Sequence, residues 1–387
     1  MTSKAAADGV KTLVPRDRMT ESARLLRDTY AMTPDLRLFR REFGYYCLER
    51  WYEQGLPRDA DLVEQFAYDP PGNHHLHGAG WCEAAFSPAF DEAVIEQRGD
   101  HEIIRDAAGR HVKVFRGRRS GFMPEYVDHP VKDMRSWQAN CLWRLDPATP
   151  ERWTDLDRDM AAAREAAGRG LMISQCVVGA YMYLRSLIGP TELLLAVYDM
   201  PELIHECMRT WLVVADAVTA RHQQHVTLDE IFFGEDICYN HGPLISPKMM
   251  DTFLFPYYQQ LIANMRERQI DKSRHLYVHV DTDGFVAPVI PLYRRAIGMD
   301  VMSPFEVAAG CDVVEMSRQF PDLVMFGGID KRVLAKGPKA IDEHLEYVIP
   351  PMRRRGGYIP TCDHGVPEEV SLENYRHYRK RCIDLGG

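Results

Sequence analysis

From about residue 150 onward the chain alternates between two rhythms. Stretches with apolar positions three and four apart, such as "LDRDMAAAREAAGRG" and "PKMMDTFLFPYYQQLIANMRERQ", predict helices. Each hands over to a short apolar run that predicts a buried strand: "LMISQCVV", "EIFFGED", "HLYVHVDTDG", "GMDVMSPFE", "LVMFGGID" and "GGYIPTCDH". The runs recur at roughly 25–45 residues, the spacing of βαβ units, which implies a parallel sheet. So many units in one chain favour a closed (β/α)8 TIM barrel, an α/β fold, over a small open sheet.

Before residue 150 the pattern differs. Residues 1–19 read as a disordered lead. Residues 20–55 read as helical, with the three- and four-residue spacing running through "LRLFRREFGYYCLERWYEQGL". Between about 60 and 150 Pro, Gly and aromatic residues accumulate. Here "AVIEQRGDHEIIRDAAGRHVKVFRG" predicts a β-meander that turns at "RGD" and "AAGR". Residues 20–150 are therefore expected to form an N-terminal helical segment and a turn-rich lid or meander that merges into the barrel. Its main part is residues 151–387. The histidines of "NHHLHG" at 73–78 are expected at the surface or in the lid.

In such a barrel the chemistry sits at the C-terminal ends of the strands. There the chain places Glu235 and Asp236, His279 and Asp281, Glu306, Asp330, and Cys362 with Asp363 and His364. Side chains alternate across a strand, so His275, Tyr277, His279 and Asp281 share one face of "HLYVHVD", and Leu276, Val278 and Val280 the other. The apolar face belongs against the helices, which sends His279 and Asp281 toward the barrel axis. A buried polar pair satisfied by hydrogen bonds would look the same in sequence. Glu306, closing the next strand, can equally pair with a loop Arg or Lys. Cys362 follows Pro360, which cannot donate to a ladder and so marks a strand end. The thiol is expected in the barrel mouth, against the alternative of a buried inert cysteine. Two carboxylates and a thiol, with His279 as a further nitrogen donor, form a set that zinc accepts, although the spacing matches no local metal motif.

Composition narrows the partners. The chain has 47 Lys and Arg against 56 Asp and Glu, a net charge of −9, which disfavours a nucleic-acid backbone. Nine cysteines without a CxxC pair do not suggest a disulfide framework. No apolar stretch approaches the ~20 residues that span a bilayer, and the N-terminal stretch lacks a secretory h-region. A soluble, cytoplasmic protein without a membrane partner is the expectation.

Five stretches in order, "GEDICYNHGPLISPKMMDTFLFPYYQQLI", "VHVDTDG", "MSPFEVAAGCDVVEM", "FGGIDKRVLAKG" and "GGYIPTCDHGVPEEVSLENYRHY", resemble the uroporphyrinogen decarboxylase superfamily. The likeness covers roughly 150–387 and is closest to the branch of corrinoid-dependent methyltransferases of the O-demethylase type. The resemblance implies a TIM barrel with zinc at its mouth, held by Glu306 and Cys362. Where thiol-methylating relatives carry His-x-Cys, this chain reads His279-Val280-Asp281, which makes Asp281 the third ligand and fits a methyl-ether donor. It further implies that the methyl group, from a small methoxylated and aromatic substrate, passes to the cobalt(I) corrinoid of a separate protein. The cobalamin-binding pattern "DxHxxG" is missing from the chain. His279 is expected to support the site, Asp363 to orient Cys362, and Asp236 and His364 to stand among the catalytic groups. Tyr45, Tyr46, Trp51 and Trp81 are candidates for the pocket wall, with the apolar core as their alternative place. A homodimer is a further expectation. The competing functions are a metal-independent decarboxylase relying on Asp236 or Asp281 with cationic clamps, and a non-catalytic ligand-binding barrel. The "RQAGR" element by which the decarboxylases hold carboxylates is missing, the comparable region reading "FRREFGYYCLERW".

Overall fold

The strands, in chain order, are β1 (Asn73–Ala79), β2 (Ala93–Arg98), β3 (His101–Arg105), β4 (His111–Phe115), β5 (Glu125–Asp128), β6 (Met172–Val178), β7 (Glu230–Gly234), β8 (Cys238–Tyr239), β9 (Gly242–Pro243), β10 (Tyr277–Asp281), β11 (Val301–Ser303), β12 (Val324–Phe326) and β13 (Tyr358–Ile359). They come from a computed structural model that describes residues 18–117, 119 and 124–387. Nearly all of the expected disordered lead, residues 1–17, lies outside the described residues. Seven strands pair in the order β1-β6-β7-β10-β11-β12-β13, all parallel. Helices fill the connections from β6 to β13 and follow β13, giving the α/β barrel. Each of the six apolar runs read as strands forms one.

The seventh strand corrects the sequence reading. "NHHLHGA" is not a lid segment but barrel strand β1, with Asn73 to Leu76 in register with Met172 to Gln175, although His75 and His77 are exposed as expected. It carries no apolar run because its inward residues line a polar part of the barrel interior. The expected meander exists: β2, β3, β4 and β5 form an antiparallel sheet inserted between β1 and β6.

A second correction concerns residues 20–55. Helix occupies only Glu21–Tyr30 and Leu48–Glu53. The intervening strap, 37–46, is extended and lies in the seam between β13 and β1. Asp69 donates its N–H to the Arg40 carbonyl on one side, while Val366 and Tyr46 exchange backbone bonds with Gly44 and Val366 on the other. The strap's donors and acceptors are satisfied by neighbours distant in sequence, so the helical spacing is overridden.

Helix Glu21–Tyr30 is capped by Thr20, whose side chain accepts the Ala23 N–H at 3.1 Å. Its buried face, Ala23, Leu26 and Tyr30, closes the N-terminal end of the barrel. There it packs with Met19, Phe39, Met172, Val301, Val324, Phe326 and Ile359 as an interior cluster. A much larger apolar layer lies between strands and helices, with Ile231, Phe233, Val278, Val280, Met302 and Met325 on the strand side. Inward and outward residues thus alternate with period two on every long strand. Among the described residues no helix is long and apolar enough to cross a membrane.

Glu235, just beyond β7, points into that outer layer and is fully buried. Its carboxyl accepts from the hydroxyls of Tyr258 and Tyr293, the latter at 2.6 Å. Tyr258 in turn accepts the Ala180 N–H at 2.7 Å. Three surrounding helices are thereby pinned to one strand end. Burial pushes this carboxyl from 4.5 up to about 7, the tyrosine bonds opposing. Below about 4.5 folded and unfolded chains both hold the proton. As pH rises toward 7 only the unfolded chain gives it up freely, so stability declines across that window. Glu235→Gln should flatten this decline in denaturant melts between pH 4.5 and 7. It should not abolish it, because Asp229 and Asp363 are also raised, each to about 6.

Candidate active site

A cavity of about 300 Å3 opens at the C-terminal end of the strands. Tyr30, Phe43, Trp81, Phe232 and Phe326 wall it, and Arg41, Asn73, His75, Asp281, Ser303 and Thr361 supply polar edges. Trp81 stacks on Phe232 with ring centroids 5.3 Å apart and a 9° interplanar angle. Trp81 and Phe43 are largely exposed at the rim. The space suits one substituted ring.

The floor is a line of four hydrogen-bonded side chains. Glu230, at the start of β7, accepts from the Tyr30 hydroxyl at 2.7 Å, the Ser174 hydroxyl at 2.6 Å and the His279 Nδ1–H at 3.0 Å. Burial alone would raise its carboxyl, but the bonds from His279, Ser174 and Tyr30 outweigh it and hold Glu230 at about 2. His279 Nε2 lies 2.8 Å from Ser303 Oγ, and Ser303 bonds to Asp281 Oδ2. The parallel register that sets Asp281 opposite Ser303 makes this last contact. Burial pushes the Asp281 carboxyl above its ordinary range, with Asp236 adding to the shift and Ser303 and His279 opposing it.

The line has two proton arrangements. With Asp281 ionised, the Ser303 hydroxyl donates to it and accepts from Nε2–H of an imidazolium. With Asp281 protonated, its O–H donates to Ser303, and Ser303 donates to Nε2 of neutral imidazole. Nδ1–H donates to Glu230 in both. The two arrangements differ by one proton relayed through Ser303 between His279 and Asp281.

Of the residues expected in the site, His279 and Asp281 alone belong to this line. Cys362 does not reach the mouth. Alternation from Ile359, which faces the interior, puts Thr361 in the cavity wall and turns Cys362 outward into the apolar layer, fully buried. Burial raises its thiol well above the usual value. Glu306 is committed at the rim, accepting from Gly284 N–H and from Lys331 Nζ, both at 3.0 Å. Among the described residues no three His, Cys, Asp or Glu side chains are grouped to hold a metal ion. As arranged, Asp281, Glu306 and Cys362 do not fit zinc.

The other candidates shape the mouth. Asp363 is buried and accepts the N–H groups of Val307 at 2.9 Å and Lys331 at 3.2 Å, buckling the loops that follow β11 and β12 to the one after β13. His364 stacks on Tyr46 and meets Phe43 at a tilt, with Nε2 3.7 Å from Asp283 Oδ2. Burial, then the Lys331 charge, lowers its imidazole. Asp236 binds Arg185 at 2.5 Å and holds a φ of +46°, a strained conformation for a non-glycine residue. Asp330 caps the short helix Lys331–Leu334. In "GGID" a Cβ on Gly327 would sit 1.8 Å from the Pro304 oxygen, so this glycine permits close loop packing. Among the aromatic candidates Trp81 lines the cavity and Tyr46 sits outside its lining. Tyr45 turns to the hydroxyls of Tyr68 and Tyr375. Trp51 is core, its indole N–H donating to the Val370 carbonyl at 2.8 Å.

Sequence reasoning missed Glu230, Ser303 and Arg41. A signal existed for the first: an acid two residues before Phe232 on an otherwise apolar strand shares the inward face. Ser303 gains its role from register, and Arg41 from the strap.

The profile of the family described as uroporphyrinogen decarboxylase (URO-D) matches residues 156–384. No curated protein matches the chain. Among solved structures, a methyltransferase from Methanosarcina mazei is similar over 97% of this chain and 100% of its own, at 13% identity and a TM-score of 0.56. That likeness is one of fold. A putative vitamin-B12-independent methionine synthase from Listeria monocytogenes covers 60% of this chain and 70% of its own, at 13% identity and a TM-score of 0.34, too loose to argue from.

Cys362→Ala should behave as a small core truncation. Denaturant melts should show a loss of about 1–2 kcal/mol, with metal content and aromatic-ligand binding unchanged. Loss of a bound metal ion in that variant would return the thiol to the site.

Proposed function

Because the chain belongs to the uroporphyrinogen decarboxylase family, we propose that it is a methyltransferase that removes the methyl group of a small aromatic methyl ether. The acceptor is the cobalt(I) corrinoid of a separate protein. The observation that carries this reading is the line Glu230–His279–Ser303–Asp281 at the floor of an aromatic-walled cavity. A phenolate is a poor leaving group until its charge is neutralised, and a carboxyl whose hold on its proton is strengthened by burial is placed to neutralise it. Cobalt(I) supplies the electron pair to the methyl carbon, and the C–O pair stays on oxygen. Asp281 gives that oxygen its proton, so the products are a phenol and methyl–cobalt(III). The line is then one proton short, with Asp281 ionised beside a neutral His279, and is reset by a proton from solvent that Asp281 and His279 share through Ser303 while Glu230 holds the imidazole in place. No step is assigned to zinc, since Glu306 and Cys362 are engaged elsewhere.

The likeness in fold to the Methanosarcina methyltransferase agrees with this reading. The cavity lining argues against the competing decarboxylase: among the described residues a single arginine stands on its wall, too few cations for the several carboxylates of a tetrapyrrole.

The assay is spectroscopic: methyl–cobalt(III) formed from a reduced corrinoid protein and a methoxybenzene, with equimolar phenol. Asp281→Asn should lower kcat by about 10²–10⁴ and change KM much less. In the wild type kcat should hold at low pH and fall as pH rises through the raised value of Asp281. Decarboxylation of a tetrapyrrole without any methyl transfer from ethers would overturn the proposal.

A further inference from the structure

Two voids meet at the seam. The cavity and a larger cleft of about 1070 Å3 on the outer side of the strap share Arg41, Asn73 and His75 in their linings. The partition between them is therefore one layer of side chains, two from β1 and one from the strap.

This partition is the least tied part of the barrel wall. β1 and β13 end the seven-strand order and do not pair with each other. The strap between them is held by backbone bonds at Arg40 on one side and at Gly44 and Tyr46 on the other. Between those points the Glu42 side chain is the tether, accepting from the Cys362 N–H at 2.7 Å and the Tyr375 hydroxyl at 2.8 Å. Among the described residues Arg41 has no hydrogen bond or ion pair, and its guanidinium lies 5.8 Å from the Phe326 ring centroid. It can swing aside without breaking a bond. His75 is exposed and held by long contacts, Nδ1 3.6 Å from Cys176 Sγ and Nε2 3.3 Å from Asn73 Nδ2.

The other opening has a different use in the reaction proposed above. Asp281 closes β10 at the mouth, and a methyl acceptor carried by a separate protein must approach from that side. The mouth is crowded by Asp236, Asp283 and Glu306, whereas the cleft presents Leu62, Val63, Pro70, Pro71 and Tyr68. An uncharged aromatic molecule leaves water more readily into the second surface.

We infer that the seam is a side entrance to the barrel: aromatic ligands enter and products leave through the cleft, past Arg41, and the mouth is left to the methyl acceptor. The use of the mouth rests on the proposed methyl-ether reading; passage through the seam is tested without it.

Cys176 reports that passage. It lines the cavity beside His75 and is 2% exposed. Cys47 and Cys141 are 0% exposed and line neither void. Burial pushes all three thiols up to about 12, so their alkylation rates differ by access and not by acidity. Iodoacetamide, timed on the whole protein and read site by site by mass spectrometry, should label Cys176 about 10-fold faster than either. Val63→Trp combined with Ala162→Trp narrows the cleft from two exposed positions outside the cavity lining. The pair should slow Cys176 about 10-fold and leave Cys141 unchanged. Arg41→Ala should speed Cys176 alone. Fluorescein maleimide on Cys82, exposed beside Trp81 at the mouth, should leave the Cys176 rate within about twofold.

A Cys176 rate no faster than Cys141, unmoved by the two tryptophans, or suppressed by the Cys82 adduct would each overturn the inference. An unchanged rate in Arg41→Ala would overturn the part given to Arg41. The Cys82 arm uses the natural sequence and stands even if the double variant fails to fold. Labelling through the seam without methyl transfer from any aryl ether would remove the proposed function and leave the entrance. Methyl transfer with labelling through the mouth would do the reverse.

Discussion

The bond between Glu230 and His279 is the constraint around which the barrel interior is arranged. A carboxylate taken out of water costs several kcal/mol unless it is paired and hydrogen-bonded, and breaking such a pair leaves a buried charge uncompensated. Glu230 meets that demand with three donors from three elements: Tyr30 on the plugging helix, Ser174 on β6 and His279 on β10. The same three bonds hold the plug against the strands, set the rotamer of the imidazole and aim its second nitrogen at Ser303. Packing and acid–base chemistry share one set of contacts.

The mouth is organised by a different balance. Asp236, Asp281, Asp283 and Glu306 crowd a region in which burial, followed by these neighbouring acids, raises Asp283 to about 8. Lys331 and Arg185 answer part of that charge through Glu306 and Asp236. Asp363 secures the arrangement by accepting backbone N–H groups from two loops. Glu306, which looks like a metal ligand in sequence, is thus spent on loop geometry. The upward shift of Asp281 follows the same logic, burial first and the Asp236 charge adding to it.

The seam ties the N-terminal segment to function. A closed ladder between β13 and β1 would leave a wall, whereas the strap occupies that side with irregular bonds, one glutamate turned outward and one arginine turned inward. An irregular eighth position allows a cation to enter an interior otherwise lined by rings and the histidine line, and it leaves a cleft beside it.

Six barrel strands, the meander and the inward direction of His279 and Asp281 were legible in sequence, because each follows from a local period of two and the side on which the apolar residues fall. That logic failed at β1, whose inward face is polar, and in the strap, whose bonds go to residues up to about 350 positions away. It also failed at Cys362, where proline marked a strand end but alternation from Ile359 decided the direction of the thiol. The type of each chemical group was therefore set by the chain alone. Which groups touch was not: Asp281 meets Ser303 through strand register, and Arg41 reaches the cavity only because the seam admits the strap. Register and closure are relations between distant segments, fixed by how their backbone bonds and buried charges are jointly satisfied, and no local period carries them.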